Sequence, residues 1–434
     1  MRHVIIGNGP TGVVAAETIR KNRADDEIVL IGDEPSPPYS RMAIPYLLCG
    51  DIDAAGTCLR KEPGYFESAR IELRSGLVTA IDPSAKQVVF ADGDTLAYDR
   101  CLIATGSFPT EPPVPGIEHP VVQPCWTLAD ADRIMALAVK GARVLQLGAG
   151  FIGCIIMEAL ARRGVQLTVV EMDERMVPRM MGAGAAAMIR HWCEKQGVRV
   201  LTGTRLERLE PGNPVRAVFA EGGGGEFDLV IRATGVRPNI AFLDGSGIEC
   251  EVGVLVDEHL CSSAADVYAA GDCAEAWDEA LGRRVISAIQ PNAVDQGRIA
   301  GLNMAGHPIK TNAVTQINVL DTMGLVSSSF GRWDGVEGGD SVEASDPDKF
   351  RYLRLEFDGE FLIGANTVGW TDHIGVLRNL VEGHIALGQW KERLMREPMR
   401  LMEAYLACAQ SLDRSPVPPG MGGARRATQN RNGQ

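Results

Sequence analysis

Short apolar runs separated by polar, helix-periodic segments organise the first hundred residues. "HVIIG" is a four-residue apolar run ending in glycine, "GVVAAETIRK" has helical spacing, and "EIVLIG" is a second apolar run. Runs this short read as strands buried on both faces, and a helical pattern between two of them predicts a β-α-β unit with parallel strands. A second unit of the same kind follows about 140 residues later: "ARVLQLG", then "GCIIMEALARRG", then "QLTVVE". Between them "FPTEPPVPGIEHP" (108–120) is too rich in proline to continue a helix or a central strand and reads as a linker. From about 315 the pattern changes. "FRYLRLEFDGEFLIGANTVG" alternates around Asp358-Gly359, which predicts a hairpin, and the segment after it has helical spacing broken at Pro398. The acidic, glycine-rich stretch 331–350 reads as an exposed loop, and residues 411–434 have almost nothing to bury and read as a disordered tail.

The fold class predicted is α/β: two Rossmann-like dinucleotide-binding units and a C-terminal α+β domain. The composition agrees, with 45% hydrophobic and 23% charged residues in a chain of 434, long enough for about three domains. A net charge of -13 argues against general nucleic-acid or anionic-membrane binding. No run of about 18 apolar residues predicts a membrane span, and the N-terminus enters a strand without a signal-peptide pattern. The ten cysteines (Cys49, Cys58, Cys101, Cys125, Cys154, Cys193, Cys250, Cys261, Cys273 and Cys408) are scattered, which favours a reducing cytoplasm and supports neither a structural zinc nor an iron-sulfur site. No metal ligands are predicted.

The chemistry concentrates in two glycine turns. Gly7-Asn8-Gly9-Pro10-Thr11-Gly12 lies between strand and helix: Gly7 allows the turn, Gly9 lets backbone approach a pyrophosphate, and Gly12 lets helix and strand pack. The helix N-terminus offers free N–H groups to phosphate, and Asp33 or Glu34 closes the next strand where a ribose hydroxyl would lie. The second turn is Gly148-Ala149-Gly150-Phe151-Ile152-Gly153, with Glu171 ending its next strand 23 residues past Gly148. A carboxylate there accepts from a ribose and repels a 2'-phosphate, so NADH is expected over NADPH, although Arg175 stands four residues on.

"LIATGS" (102–107), "IRATGVRPN" (231–239) and "VYAAGDCAEA" (267–276) follow in order. With the two glycine turns they resemble the two-dinucleotide-binding flavoproteins, the pyridine nucleotide oxidoreductases, over residues 1 to about 310. The resemblance implies an FAD-binding domain of residues 1–112 and 239–312, an inserted NAD(H)-binding domain of 113–238, and a C-terminal interface or partner domain of 313–410. It implies that Ala104, Thr105 and Gly106, with Ala233, Thr234 and Gly235, are the crossings between the two domains. Asp272, after Gly271, would hold the ribityl chain; the N–H groups of Asn292 and Ala293, at a helix start marked by Pro291, would face the flavin ring; and Val78 is a further FAD contact.

"PPYSRMAIPYLLCG" (37–50) selects among the branches of that family. Arg41 takes the place of an arginine on the FAD pyrophosphate. Met42 stands where the single-cysteine enzymes carry their thiol, and no cysteine pair follows the first unit, so disulfide and peroxide chemistry is not expected. The chain is similar to the branch without redox cysteines, the ferredoxin and rubredoxin reductases and the flavin portion of nitrite reductases. Their lysine and its glutamate partner are replaced by Tyr46 and Ile155. The function expected is an FAD-dependent NADH oxidoreductase passing electrons to a ferredoxin, a rubredoxin or an oxygenase component. The alternatives are a small-molecule reductase or oxidase, a flavin-bearing subunit of a complex, and a non-catalytic redox-sensing scaffold. No side chain is assigned as an acid or base, the seven histidines lie outside the motifs, and relatives leave open a homodimer.

Overall fold

A computed structural model describes residues 1–278, 281–311 and 317–412; the expected tail lies, from 413 onward, outside the described residues. The first sheet is parallel, in the order Val267–Ala269, Arg100–Ile103, Arg2–Ile6, Glu27–Gly32, Glu72–Ser75. Its central strands are covered on both faces, which is why they read as apolar runs and not as alternating ones. The helix Pro10–Asn22 packs on one face and is itself covered by the helix Gln290–Met304. The two helices approach closely because Gly297 and Gly301 carry no side chains. A Cβ on Gly297 would lie 2.4 Å from the Thr11 carbonyl oxygen, and one on Gly301 would lie 2.8 Å from that of Ala15.

The second sheet repeats this plan: Arg199–Leu201, Gln166–Val170, Arg143–Leu147, Leu229–Arg232 and Val122–Pro124, all parallel. The chain passes between the two sheets through a single antiparallel pair, Ser107–Pro109 with Val236–Pro238. Thr105 Oγ1 donates to the Asn239 carbonyl at 2.7 Å, and the Asn239 N–H donates to the Gly106 carbonyl at 2.9 Å, so the outgoing and returning strands are bonded to each other.

The C-terminal sheet is antiparallel, in the order Ile317–Thr322, Leu325–Gly331, Phe361–Val368, Arg351–Asp358, Asp340–Asp346. One face, with Phe330, Leu353, Leu355 and Phe357, packs on the helices Ile374–Glu382, Gln389–Arg396 and Leu401–Leu412. The other, with Leu320, Leu325, Tyr352 and Val368, shares a core with Met157, Ala185 and Ile189 of the second sheet's helices and with Met181 of the loop between them. Two sequence expectations need correction. The hairpin turns one residue later than expected, at Gly359-Glu360, with Asp358 still paired to Phe361; a register shift at Glu356/Phe357 accompanies it. The acidic stretch is a loop only in its first half, and Asp340–Asp346 is an edge strand whose exposed Asp340, Ser341, Glu343 and Ser345 suit an unpaired sheet edge. Pro398 falls between two helices, and a further break at 383–388 had no proline to mark it. No helix among the described residues is long and apolar enough to cross a membrane.

Candidate functional site

Both glycine turns are built the same way. Gly7 has φ +114°, and a Cβ there would lie 2.1 Å from the Ala104 carbonyl oxygen; Gly148 has φ +98°, with the Ala233 carbonyl oxygen 2.4 Å from its missing Cβ. Each ATG segment is thus packed against the first glycine of its turn. A Cβ on Gly12 would strike the Gly7 carbonyl at 1.9 Å, and one on Gly153 the Gly148 carbonyl at 2.4 Å. The middle glycines differ: nothing lies within 4 Å of a Cβ on Gly9 or Gly150. These two are not required by the protein's own packing, and they leave room for a ligand against the backbone. The helices Pro10–Asn22 and Phe151–Arg162 begin at Gly9 and Gly150 without a side-chain cap, so their first N–H groups stay available to an anion.

A cleft opens between the sheets. It is lined from the first by Gly7, Gly9, Pro10, Thr11, Asp33, Glu34, Arg41, Ala104, Thr105, Gly106, Asp272 and Ala293, and from the second by Phe151 and Ile152. Arg41 is held by a network: its guanidinium donates to Glu34 at 2.7 Å, to the Tyr39 hydroxyl at 3.0 Å and to the Trp126 carbonyl at 2.8 Å, and lies over both aromatic rings. The Tyr39 hydroxyl in turn donates to Glu34 at 2.7 Å, and burial raises its pKa, so it remains a donor. Ser107 Oγ donates to Asp272 at 2.8 Å, while burial raises the pKa of this carboxylate against that bond and the Arg41 charge. Gly271, at φ +79°, donates its N–H to the buried Gln296 side chain at 2.8 Å. One expected residue stands elsewhere, and the side chain of another turns away while its backbone stays at the helix start. Val78 is buried in the core of the first sheet and does not line the cleft. Asn292, next to Ala293 at the helix start, turns its amide to Ser287 Oγ at 2.5 Å.

The second turn, with Gly148, Gly150, Gly153, Ala233, Thr234 and Gly235, sits beside the cleft and not in its lining. Glu171 is buried, with one carboxylate oxygen accepting the Ala149 N–H at 2.8 Å and the other the Asp173 N–H at 3.0 Å. Its side chain braces the turn from below. Arg175 donates to the carbonyls of Met181 at 3.1 Å and Pro178 at 3.3 Å, which commits its guanidinium to its own loop. Thr234 bonds across the domain crossing to the Thr110 carbonyl at 3.1 Å.

The "PPYSRMAIPYLLCG" segment forms a 3₁₀ turn, Arg41–Ala43, and a short helix, Ile44–Cys49. Met42 and Ile155 line the cleft; Tyr46 is 59% exposed and does not. All ten cysteines are free, and burial raises the Cys49 thiol pKa. Sequence reasoning missed Cys125, Trp126 and Gln290, which also line the cleft. Burial pushes the Cys125 thiol up to about 12, so it is no thiolate at neutral pH. None of these three carries a motif, and only long-range packing brings them to the site. No histidine lines the cleft, and no cluster of metal-binding side chains exists among the described residues.

Residues 1–297 match the family model described as pyridine nucleotide-disulphide oxidoreductase. The NADH-dependent phenylglyoxylate dehydrogenase subunit epsilon of Aromatoleum evansii is 31% identical over 92% of this chain and 95% of its own. An NADH oxidase of Methanocaldococcus jannaschii is 34% identical over 76% of this chain and 77% of its own. The ferredoxin–NAD(+) reductase component of a biphenyl dioxygenase system from Paraburkholderia xenovorans is 30% identical over 70% of this chain and 75% of its own. With more than two thirds of its length matched by that family model, the chain belongs to the pyridine nucleotide-disulphide oxidoreductase family.

Proposed function

We propose that the protein is an FAD-dependent NADH oxidoreductase that passes electrons to a protein redox partner. The observation that carries this reading is the pair of glycine turns flanking one cleft whose lining holds neither a titrating thiol nor a lysine. The residues fit a dinucleotide at each turn: open space at Gly9 and Gly150, uncapped helix starts, and a carboxylate at each strand end. FAD would be held by the turn of Gly7, Gly9 and Gly12, by Asp33 or Glu34 at the ribose, by Arg41 at the pyrophosphate, and by Thr105, Asp272 and the backbone of Asn292 and Ala293. The flavin, when bound, supplies hydride acceptance and release of electrons singly or in pairs. NADH would use Gly148, Gly150 and Gly153. Glu171 and Arg175 favour it over NADPH, since the Arg175 guanidinium is committed to the Met181 and Pro178 carbonyls and not to a 2'-phosphate.

The electrons must leave without a protein thiol relay. The dioxygenase-system relative supports a ferredoxin-type acceptor. A second reading, a flavin-bearing subunit of a larger NADH-linked dehydrogenase, is favoured by the Aromatoleum relative, which matches along nearly the whole of both chains. Anaerobic titration of the yellow protein with NADH tests the shared core of both: the flavin absorbance bleaches, and a flavin that stays oxidised refutes it. Copurification from the native source separates the readings, since a subunit elutes in a stoichiometric complex and a free reductase elutes alone.

A further inference from the structure

We propose that Asn366, in the C-terminal sheet, is a positioning residue for the NADH site; the inference rests on the reading of the second glycine turn given above. The turn is clamped at one residue, on both of its peptide units. The N–H of Ala149 is held by Glu171 at 2.8 Å, and its carbonyl accepts the N–H of Val177 at 2.9 Å. Because a peptide unit is planar, fixing the Ala149 carbonyl also fixes the N–H of Gly150, which belongs to the same plane and points the opposite way. Gly150 is the residue with open space beside it. The loop that supplies Val177 therefore sets the direction of a donor at the proposed pyrophosphate site.

Beyond its internal bonds, from Arg175 to the Met181 and Pro178 carbonyls, that loop is also held from outside. Val177 is buried and has φ +48°, a conformation that a β-branched residue adopts only when its surroundings impose it. Glu171 and Asp173 pin the start of the loop, at the Asp173 N–H and at the Asp173 carbonyl, which accepts from Gly203. Its end is pinned from another domain. The fully buried Asn366 amide donates to the Met180 carbonyl at 3.0 Å, and its oxygen accepts the Gly182 N–H at 2.8 Å. One planar side chain thus bridges two backbone groups two residues apart, immediately before the helix Ala183–Lys195. The same helix is seated on the C-terminal sheet at Gly184, where a Cβ would come 2.6 Å from the Tyr352 ring, and at Trp192, whose indole N–H donates to the Met323 carbonyl at 3.2 Å. The path from Asn366 to Gly150 runs through Met180, Val177 and Ala149 and consists of hydrogen bonds and short covalent steps. Asn366 touches no ligand; it acts through the loop.

Two measurements on the flavin-loaded protein test this. Binding of ADP-ribose, which carries the pyrophosphate and cannot be oxidised, is measured by calorimetry, and steady-state kinetics with NADH give KM and kcat. In Asn366→Ala, the ADP-ribose Kd and the NADH KM rise together by about tenfold, the equivalent of one lost hydrogen bond in the supporting structure. The kcat and the flavin content stay near wild type. An ADP-ribose Kd unchanged in Asn366→Ala overturns the inference while leaving the NADH reading intact; a wild-type protein that neither binds ADP-ribose nor oxidises NADH takes both down. Gly184→Ala, which presses the same helix away from Tyr352, serves where Asn366→Ala fails to fold, and the same rise in Kd is expected. If both variants lose flavin and fold together, Asn366 is a structural anchor only and the inference is wrong.

Discussion

The Cβ that Gly148 lacks would lie 2.4 Å from the Ala233 carbonyl oxygen, whereas the Cβ that Gly150 lacks would meet nothing within 4 Å. The first glycine is required by the protein's own packing; the second is not, and the proposed NADH site accounts for it. Gly148→Ala therefore lowers the melting temperature, at a backbone cost of roughly 1–3 kcal/mol. Gly150→Ala leaves the melting temperature at wild type and weakens NADH binding by about tenfold or more, since one methyl group enters the space a pyrophosphate needs. Thermal denaturation and ADP-ribose calorimetry on the two variants separate the roles; equal melting losses in both would remove the distinction.

Glu171 has both carboxylate oxygens engaged by backbone N–H groups. Glu171→Gln turns an amide N–H₂ toward one of them and leaves a buried donor without an acceptor, at a cost of about 1–3 kcal/mol. Glu171→Ala narrows the ratio of kcat/KM for NADH over NADPH as well. A ratio unchanged in the alanine variant would confine Glu171 to bracing the turn.

The Tyr46/Ile155 exchange predicts an absence of coupling. Ile155→Glu puts an unpaired carboxylate into the cleft lining and destabilises the protein. Tyr46 is 59% exposed and outside that lining, so Tyr46→Lys places its ammonium in solvent and does not rescue the glutamate. A double-mutant cycle followed by chemical denaturation gives a coupling below about 0.5 kcal/mol. A rescue well above that would show that position 46 reaches the cleft after all.

How much of this was legible beforehand depends on how local the constraint is. Gly7 and Gly148 announce themselves because each opens a six-residue glycine pattern between strand and helix and has a positive φ, even though the carbonyls that close on them, of Ala104 and Ala233, lie far along the chain. Cys125 and Gln290 reach the cleft outside the glycine and ATG patterns, and nothing in their own residue types records it. The close packing of Gly297 and Gly301 on the first helix went unread for the same reason, since their partners are Thr11 and Ala15. The hairpin was legible as a hairpin, but its turn was displaced because alternation gives the faces of a strand and not the register shift at Glu356/Phe357.

His3 gives the pH dependence a direction. It is fully buried on the central strand, 2.9 Å from Asp26, and burial lowers its pKa below 6.5 against the pull of that carboxylate. The unfolded chain takes up this proton first, so below pH 6.5 the unfolded state binds more protons and stability falls as pH drops, by up to about 1.4 kcal/mol per pH unit. The loss ends once pH passes below the folded pKa. Melting temperatures measured from pH 7.5 to 5 fall in the wild type and fall less in His3→Gln; parallel curves would assign the acid sensitivity to other groups.

The single strand pair between the two sheets has a consequence for how such a chain can be rearranged. Pro109 faces Val236 in register, so the ends of the intervening 110–235 segment lie side by side. The chain enters and leaves the second sheet through one strand pair three residues long. By chain path the segment is one insertion, but by packing it is not detachable: replacing it with a tight turn would keep the register of this strand pair and uncover the face of the C-terminal sheet that rests on the segment's helices.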